Sequence, residues 1–281
     1  MIFISSCYIK KNKISDILKN SFINNIENLE ITAGTNFYQN INDDLTKYLK
    51  KKKINFRFHN YFPPPKKHFF INLASNNDKI RSASIEITKK IIDTSCRFNS
   101  KIVGIHAGFL YDINPTNKKP VSRNILDLNE GIKLFTKSYL KIKKYADKKK
   151  IKLYLENNVL DKYNFKFFNN KIPLLLLTYN DYLFFKKKLN INILLDVGHL
   201  KVTCKTLKLD FEKQLLDLSN NTDYLHLSDN DGIKDSNSEI KTNSKMYKYM
   251  KKIKNFKKKN LTVEVIGLNQ SLKTLNNLNA I

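Results

Sequence analysis

The sequence predicts an α/β protein, a single-domain (β/α)8 barrel of the TIM type, and three observations carry that prediction. Short β-branched or apolar runs recur along the chain, each followed by a longer stretch with helical spacing, the alternation that a parallel sheet with crossover helices requires. Eight such runs can be counted, enough to close the sheet on itself, and no Gly-rich phosphate turn of the doubly wound open sheet follows the first. At 281 residues the chain falls in the range that barrels occupy as one domain, so one barrel is expected over residues 1–281.

The elements follow in order. Ile2–Ser6 precedes helical spacing over 14–25, Leu29–Ala33 precedes 42–52, and Ile54–His59 precedes 79–97. The Pro63–Pro65 cluster past the third run reads as a stiff loop rather than a domain linker. Ile102–His106 leads to 124–148, Ile151–Glu156 to 178–188, and Ile191–Asp196 to 205–219. Tyr224–Ser228 leads to 243–257, and Leu261–Val265 to a short last helix, Ser271–Asn279.

Composition bounds the function classes. Hydrophobic residues make up 41% and aromatics 11%, enough apolar surface to offset the ordering entropy of the chain, so disorder is not the default. Cys7, Cys96 and Cys204 are odd in number and widely spaced, which fits neither a disulfide framework nor a CxxC zinc site and points to a reducing compartment. The opening MIFISSCYIKKNK has no basic segment before its short apolar run, and no stretch approaches the roughly 20 apolar residues of a membrane span. A cytoplasmic protein without a membrane partner is expected.

The net charge of +26 would by itself suggest a polyanionic partner. Only Arg57, Arg81, Arg97 and Arg123 carry the guanidinium fork that base reading favours; the remainder is lysine among abundant Asn and Ile, a mixture that nucleotide bias also produces. The runs Lys50–Lys53, Lys148–Lys150, Lys186–Lys188 and Lys257–Lys259 fall at predicted helix ends, just before the next strand, where they complement the helix dipole. In a barrel that is the N-terminal face, opposite the active-site loops, so nucleic acid is not the expected partner.

Of five histidines, His59, His106, His199 and His226 lie at or just past the carboxyl end of a predicted strand. Glu156, Asp196 and Glu264 share that setting, so seven ligand-type side chains from six strands converge on one mouth, where a divalent metal is expected. In LYLENN and in VEV a glutamate sits in an apolar strand, where an unpaired carboxylate is costly to bury without a cation or partner. In LLDVGHL the spacing of Asp196 and His199 suits one rim as the chain leaves the strand, although an aspartate there can equally cap a helix. HLSDNDGIKDSN follows the seventh strand; an Asx- and Gly-rich turn is ordinarily only a turn, but its place behind His226 makes Asp229, Asp231, Asp235 and Asn237 candidates for substrate or a second metal. Tyr61 and the proline loop behind His59 are assigned to packing or to a pocket wall.

On these residues the chain resembles the xylose isomerase-like barrel superfamily, which includes sugar and sugar-phosphate isomerases and epimerases as well as endonuclease IV. The resemblance runs from FRFHNYF through IVGIHAGF, LYLENN, LLDVGHL and YLHLSDNDG to LTVEV. In the epimerase branch two glutamates, an aspartate and a histidine hold one divalent ion, which implies Glu156, Asp196, His226 and Glu264 here. The resemblance further implies that Glu156 and Glu264 exchange the substrate proton and that His199 positions the substrate. In the endonuclease IV branch three zinc ions take additional ligands, which His59, His106 and His199 match. That branch has a D-x-H motif where this chain reads Asp235-Ser236-Asn237, and asparagine is a poor zinc ligand, which argues against a third metal.

The leading expectation is an isomerase or epimerase acting on a sugar, sugar phosphate or related hydroxycarbonyl compound through one divalent ion. Mn2+ is favoured, with Mg2+, Co2+ and Zn2+ compatible. The alternatives are an endonuclease IV-like zinc phosphodiesterase acting at abasic sites in DNA and a non-catalytic metabolite-binding barrel.

Overall fold

The structure is a computed structural model and describes residues 1–9, 13–51 and 54–281. Eight parallel strands close into a barrel in sequence order: β1 (Ile2–Ser5), β2 (Asn28–Ile31), β3 (Asn55–His59), β4 (Ile102–His106), β5 (Lys152–Glu156), β6 (Asn192–Asp196), β7 (Tyr224–Leu227) and β8 (Asn260–Val263). β8 pairs back onto β1 through Ile2 with Leu261 and Ile4 with Val263. All eight apolar runs of the sequence are strands, and the molecule is a single-domain (β/α)8 TIM barrel.

The helices are α1 (Ile14–Ile23), α2 (Ile41–Lys51), α3 (Asp78–Arg97), α4 (Leu128–Lys148), α5 (Lys162–Phe167), α6 (Tyr179–Leu189), α7 (Val197–Leu207), α8 (Phe211–Asn220), α9 (Lys245–Lys252) and α10 (Leu268–Asn279). The helix expected over 205–219 is two helices. Asp196 caps α7 directly at the end of β6, Lys208 ends it in the left-handed conformation, and Asp210 caps α8. The chain needs no loop between β6 and α7, because the aspartate that closes the strand also satisfies the first turn of the helix. The short α5, capped by Asp161, went unpredicted because none of its residues is buried and it carries no apolar stripe. The helix expected over 243–257 stops at Lys252, and Phe256–Lys258 forms a separate 3-10 turn.

Strand alternation sorts the apolar residues into two layers. Val103, Ile105, Leu153, Leu155, Ile193, Leu195, Leu225 and Leu227 face outward and join the helices in the main core. Tyr154, Leu194 and Tyr224 form a separate cluster, a layer inside the barrel. Above them the register sets His106 beside Glu156 and Asp196 beside His226.

The lysine runs keep to the strand-entry side of the chain. Lys148 closes α4, Lys186–Lys188 fill the last turn of α6, and the Lys259 ammonium donates to the carbonyls of Ser219 and Thr222 at the end of α8. Of the run Lys50–Lys53, the last two residues lie outside the described residues. No described helix is long and apolar enough to cross a membrane.

Candidate metal centre

Glu156 closes β5 at the centre of the mouth. Its Oε2 lies 2.9 Å from His59 Nε2 and 3.0 Å from His106 Nδ1, while Oε1 lies 3.4 Å from His226 Nδ1 and 3.8 Å from His199 Nδ1. His226 Nδ1 is also 2.6 Å from Glu264 Oε2 and 4.0 Å from Asp196 Oδ2. One ligand atom from each of Glu156, Asp196, His226 and Glu264 lies within 4.8 Å of the other three, and the same holds for the trio His59, Glu156 and His226. His59, Glu156, Asp196 and His226 are buried, whereas His106, Asp235 and Glu264 retain partial exposure toward the opening.

Glu156 Oε2, Asp196 Oδ2, His226 Nδ1, His59 Nε2 and Asp235 Oδ1 are buried, and the first four have only the cluster's own imidazoles and carboxylates as close polar neighbours. A buried polar atom left unsatisfied forfeits on the order of 1–3 kcal/mol, so carboxylates and imidazoles whose close neighbours are mainly one another make a site suited to a cation. The donor set of imidazole nitrogen and carboxylate oxygen fits a divalent metal ion.

The electrostatics agree. Burial raises the Asp196 carboxyl from 3.8 to about 7; the charge of His199 opposes this, and Asp235, Glu156 and Glu264 add to it. Burial works against the charged form of Glu156 too, but His106 and His59 outweigh it and hold that carboxyl well below its usual range. Burial disfavours the charged His226, yet Glu30 and Glu264 lift its pKa well above 6.5; Asp196 and Asp235 do the same for His199. Buried groups pushed in opposite directions by named charge partners make this cluster a functional-site candidate.

Local structure explains the placement. Asp196 is a helix cap and a cluster member at once: Oδ1 accepts the His199 amide at 2.7 Å and Oδ2 is left for the cluster. Asn157, next to Glu156, ties β5 to β6 by accepting the Asp196 amide at 2.8 Å and donating to the Asp196 carbonyl at 3.1 Å. Its own carbonyl accepts the His199 Nδ1 hydrogen at 2.9 Å, which leaves His199 Nε2 to face Asp235 Oδ2 at 3.3 Å. On β4, Gly104 makes room for a neighbour, since a Cβ there would stand 2.6 Å from His59 Cδ2.

The structure brings together His59, His106, Glu156, Asp196, His199, His226, Glu264 and Asp235. It places three other candidates in different roles. The Asp229 carboxylate is taken by Lys201 Nζ at 2.6 Å, Asp231 accepts the amides of Ile233 and Lys234 in an exposed turn, and Asn237 accepts from the Ser228 hydroxyl at 3.3 Å. Tyr61 accepts the Ile71 amide through its hydroxyl, a loop-packing contact.

Two residues were missed. Glu30 lies fully buried inside the barrel and contacts His226 Nε2 at 2.6 Å. It carried the signal that pointed to Glu264, a glutamate between apolar strand residues, but sits mid-strand rather than at a strand end. Asn157 could be identified only from the pairing of β5 with β6.

The class defined here is a closed (β/α)8 barrel whose mouth holds a buried His/Glu/Asp cluster consistent with a metal site. The chain belongs to the xylose isomerase-like TIM barrel family, whose profile matches residues 24–278. No curated protein matches it in sequence. Among solved structures it is similar to a D-tagatose 3-epimerase-like protein at 18% identity and a TM-score of 0.73, over 99% of this chain and 96% of that one. It is also similar to D-psicose 3-epimerase from Clostridium cellulolyticum H10 (14% identity, TM-score 0.66, 99% and 97% of the two chains). A third similar structure is 3-keto-D-glucoside 4-epimerase from E. coli (10% identity, TM-score 0.67, 99% and 97%). At these identities the likeness is one of fold.

Proposed function

We propose that the protein is a divalent-metal-dependent isomerase or epimerase acting on a sugar, sugar phosphate or related hydroxycarbonyl compound. The observation that carries this reading is the four-residue cluster of Glu156, Asp196, His226 and Glu264, whose ligand atoms lie within 4.8 Å of one another. Family membership and the sugar epimerases among its structural neighbours support it. A bound ion, Mn2+ by preference for so oxygen-rich a set, would polarise the substrate carbonyl and a neighbouring hydroxyl.

The chain's own residues supply the proton chemistry. Glu156 ends β5 and Glu264 follows β8, so they reach a substrate in the mouth from different sides of the barrel. One removes the proton beside the carbonyl, giving an enediolate-like intermediate, and the other returns a proton. His199, its Nδ1 hydrogen committed to the Asn157 carbonyl and its charged form favoured, despite burial, by Asp196 and Asp235, presents its Nε2 hydrogen as a donor to a substrate oxygen. The partner is thus a small carbohydrate, and three cysteines, odd in number and widely spaced, support a reducing, cytoplasmic setting. Glu156→Gln and Glu264→Gln are each expected to abolish turnover and solvent-deuterium incorporation at the reacting carbon. Activity retained in both variants would sink the assignment.

One observation favours a second reading. His59 and His106 flank Glu156 Oε2 at 2.9 and 3.0 Å, so these histidines would be at hand as ligands for an additional ion, which suits an endonuclease IV-like zinc phosphodiesterase acting at abasic sites. Elemental mass spectrometry of protein purified without chelator separates the two. One manganese-like ion per chain supports the isomerase or epimerase, and two or three zinc ions support the phosphodiesterase. A bound metal without turnover across a broad sugar panel would instead indicate a metabolite-binding barrel.

A further inference from the structure

Glu30 stands beneath the cluster, in the middle of β2 and level with Arg57 on β3. Its Oε1 accepts the Nε2 hydrogen of His226 at 2.6 Å. Its Oε2 accepts the hydroxyls of Tyr224 and Thr262, each at 2.5 Å. All four side chains are fully buried. Arg57 spends its guanidinium on Asn260 Oδ1 and the Leu261 carbonyl, so the hydrogen bonds of Glu30 go to His226 and the two hydroxyls.

We propose that Glu30 is a positioning residue for the metal centre, holding the Nε2 hydrogen of His226 so that the proton given up to a metal leaves from Nδ1, which then faces the cluster as a lone pair. The inference rests on the metal reading above. An imidazole that donates one ring hydrogen to a carboxylate offers its other nitrogen as a ligand, and the carboxylate both orients the ring and raises its basicity. His226 Nδ1 meets that description: it is buried and faces the carboxylates of Glu156, Asp196 and Glu264, the nearest at 2.6 Å. The two hydroxyls pin Glu30 in turn, because any rotation of its carboxylate breaks both bonds. The device therefore has three tiers, with hydroxyls holding a carboxylate, the carboxylate holding an imidazole, and the imidazole aimed at the ion.

The test is Mn2+ affinity by calorimetric titration, together with the visible absorption bands of the Co2+-loaded protein, in wild type, Glu30→Gln and Thr262→Val. Gln keeps the length and an acceptor oxygen, and the two hydroxyls can rotate to accept its amide hydrogens. Glu30→Gln is expected to weaken Mn2+ binding by about 10–100-fold and to shift the Co2+ bands. Thr262→Val, which removes one supporting hydroxyl at constant shape, should move both readouts in the same direction by a smaller factor. Wild-type affinity and bands in Glu30→Gln overturn the proposal, as does a lowered melting temperature with unmoved affinity and bands. If Glu30→Gln does not fold, unchanged affinity and bands in Thr262→Val overturn it. A wild-type protein that binds neither ion overturns the metal reading itself, a result seen without any variant.

Discussion

Replacing Asp196 by asparagine should stabilise the metal-free protein while removing most of its response to metal. The carboxyl is buried and raised from 3.8 to about 7 by that burial and by the surrounding acids. An acid whose folded-state pKa is raised loses stability as pH rises: the cost is absent below 3.8, builds up between 3.8 and about 7, and is complete above that. At pH 8 it amounts to about 4 kcal/mol. Asparagine removes the charge and keeps the cap, because its Oδ1 can still accept the His199 amide and the two residues cap helices equally well. Part of the gain is offset by losing the attraction to His199. If about half survives, the metal-free variant should melt about 3–4 °C above wild type at pH 8, with little difference at pH 4. Mn2+ should then raise the melting temperature of wild type far more than that of the variant, which lacks one charged ligand. Differential scanning calorimetry at both pH values, with and without Mn2+, reads all of this. A metal-free Asp196→Asn protein that melts at or below wild type at pH 8 refutes the reasoning, as does an equal response to metal.

Three further outcomes are expected. Metal uptake should release protons, because His226 is held protonated well above 6.5 and Asp196 titrates near 7 in the metal-free cluster, and both must give up a proton to act as ligands. Apparent Mn2+ affinity should therefore rise from pH 6 to pH 8, and calorimetric heats that do not vary with the buffer's ionisation enthalpy would contradict this. Gly104→Ala should cost about 1–3 kcal/mol by overpacking and displace His59, since the new Cβ would stand 2.6 Å from His59 Cδ2 and 2.8 Å from Leu194 Cδ2. Chemical denaturation checks the cost, and unchanged stability counts against the packing described here. Asn157→Ala should cost about 2–4 kcal/mol by orphaning the Asp196 amide and carbonyl, while the backbone carbonyl that holds His199 Nδ1 stays in place. A variant as stable as wild type would show that water replaces those bonds.

The sequence by itself determined the barrel and most of the mouth. Strand periodicity and chain-end chemistry are local: LYLENN, LLDVGHL and YLHLSDN each place a ligand-type residue where an apolar run stops, and a closed parallel barrel gathers such positions at one end. Local signals could not separate Asp235, which reaches His199, from Asp229, which Lys201 claims, because both sit in the same polar turn and only the fold of that turn distinguishes them. Nor could they show that Asp196 both caps α7 and joins the cluster. Glu30 was decided by tertiary structure alone. Its partners His226, Tyr224 and Thr262 lie 194 to 232 residues away in sequence, and they meet it only because closing β8 onto β1 brings the first and last strands around one interior. Which residues share a layer inside a barrel depends on the register of every strand pair around the ring, a quantity that no single segment encodes.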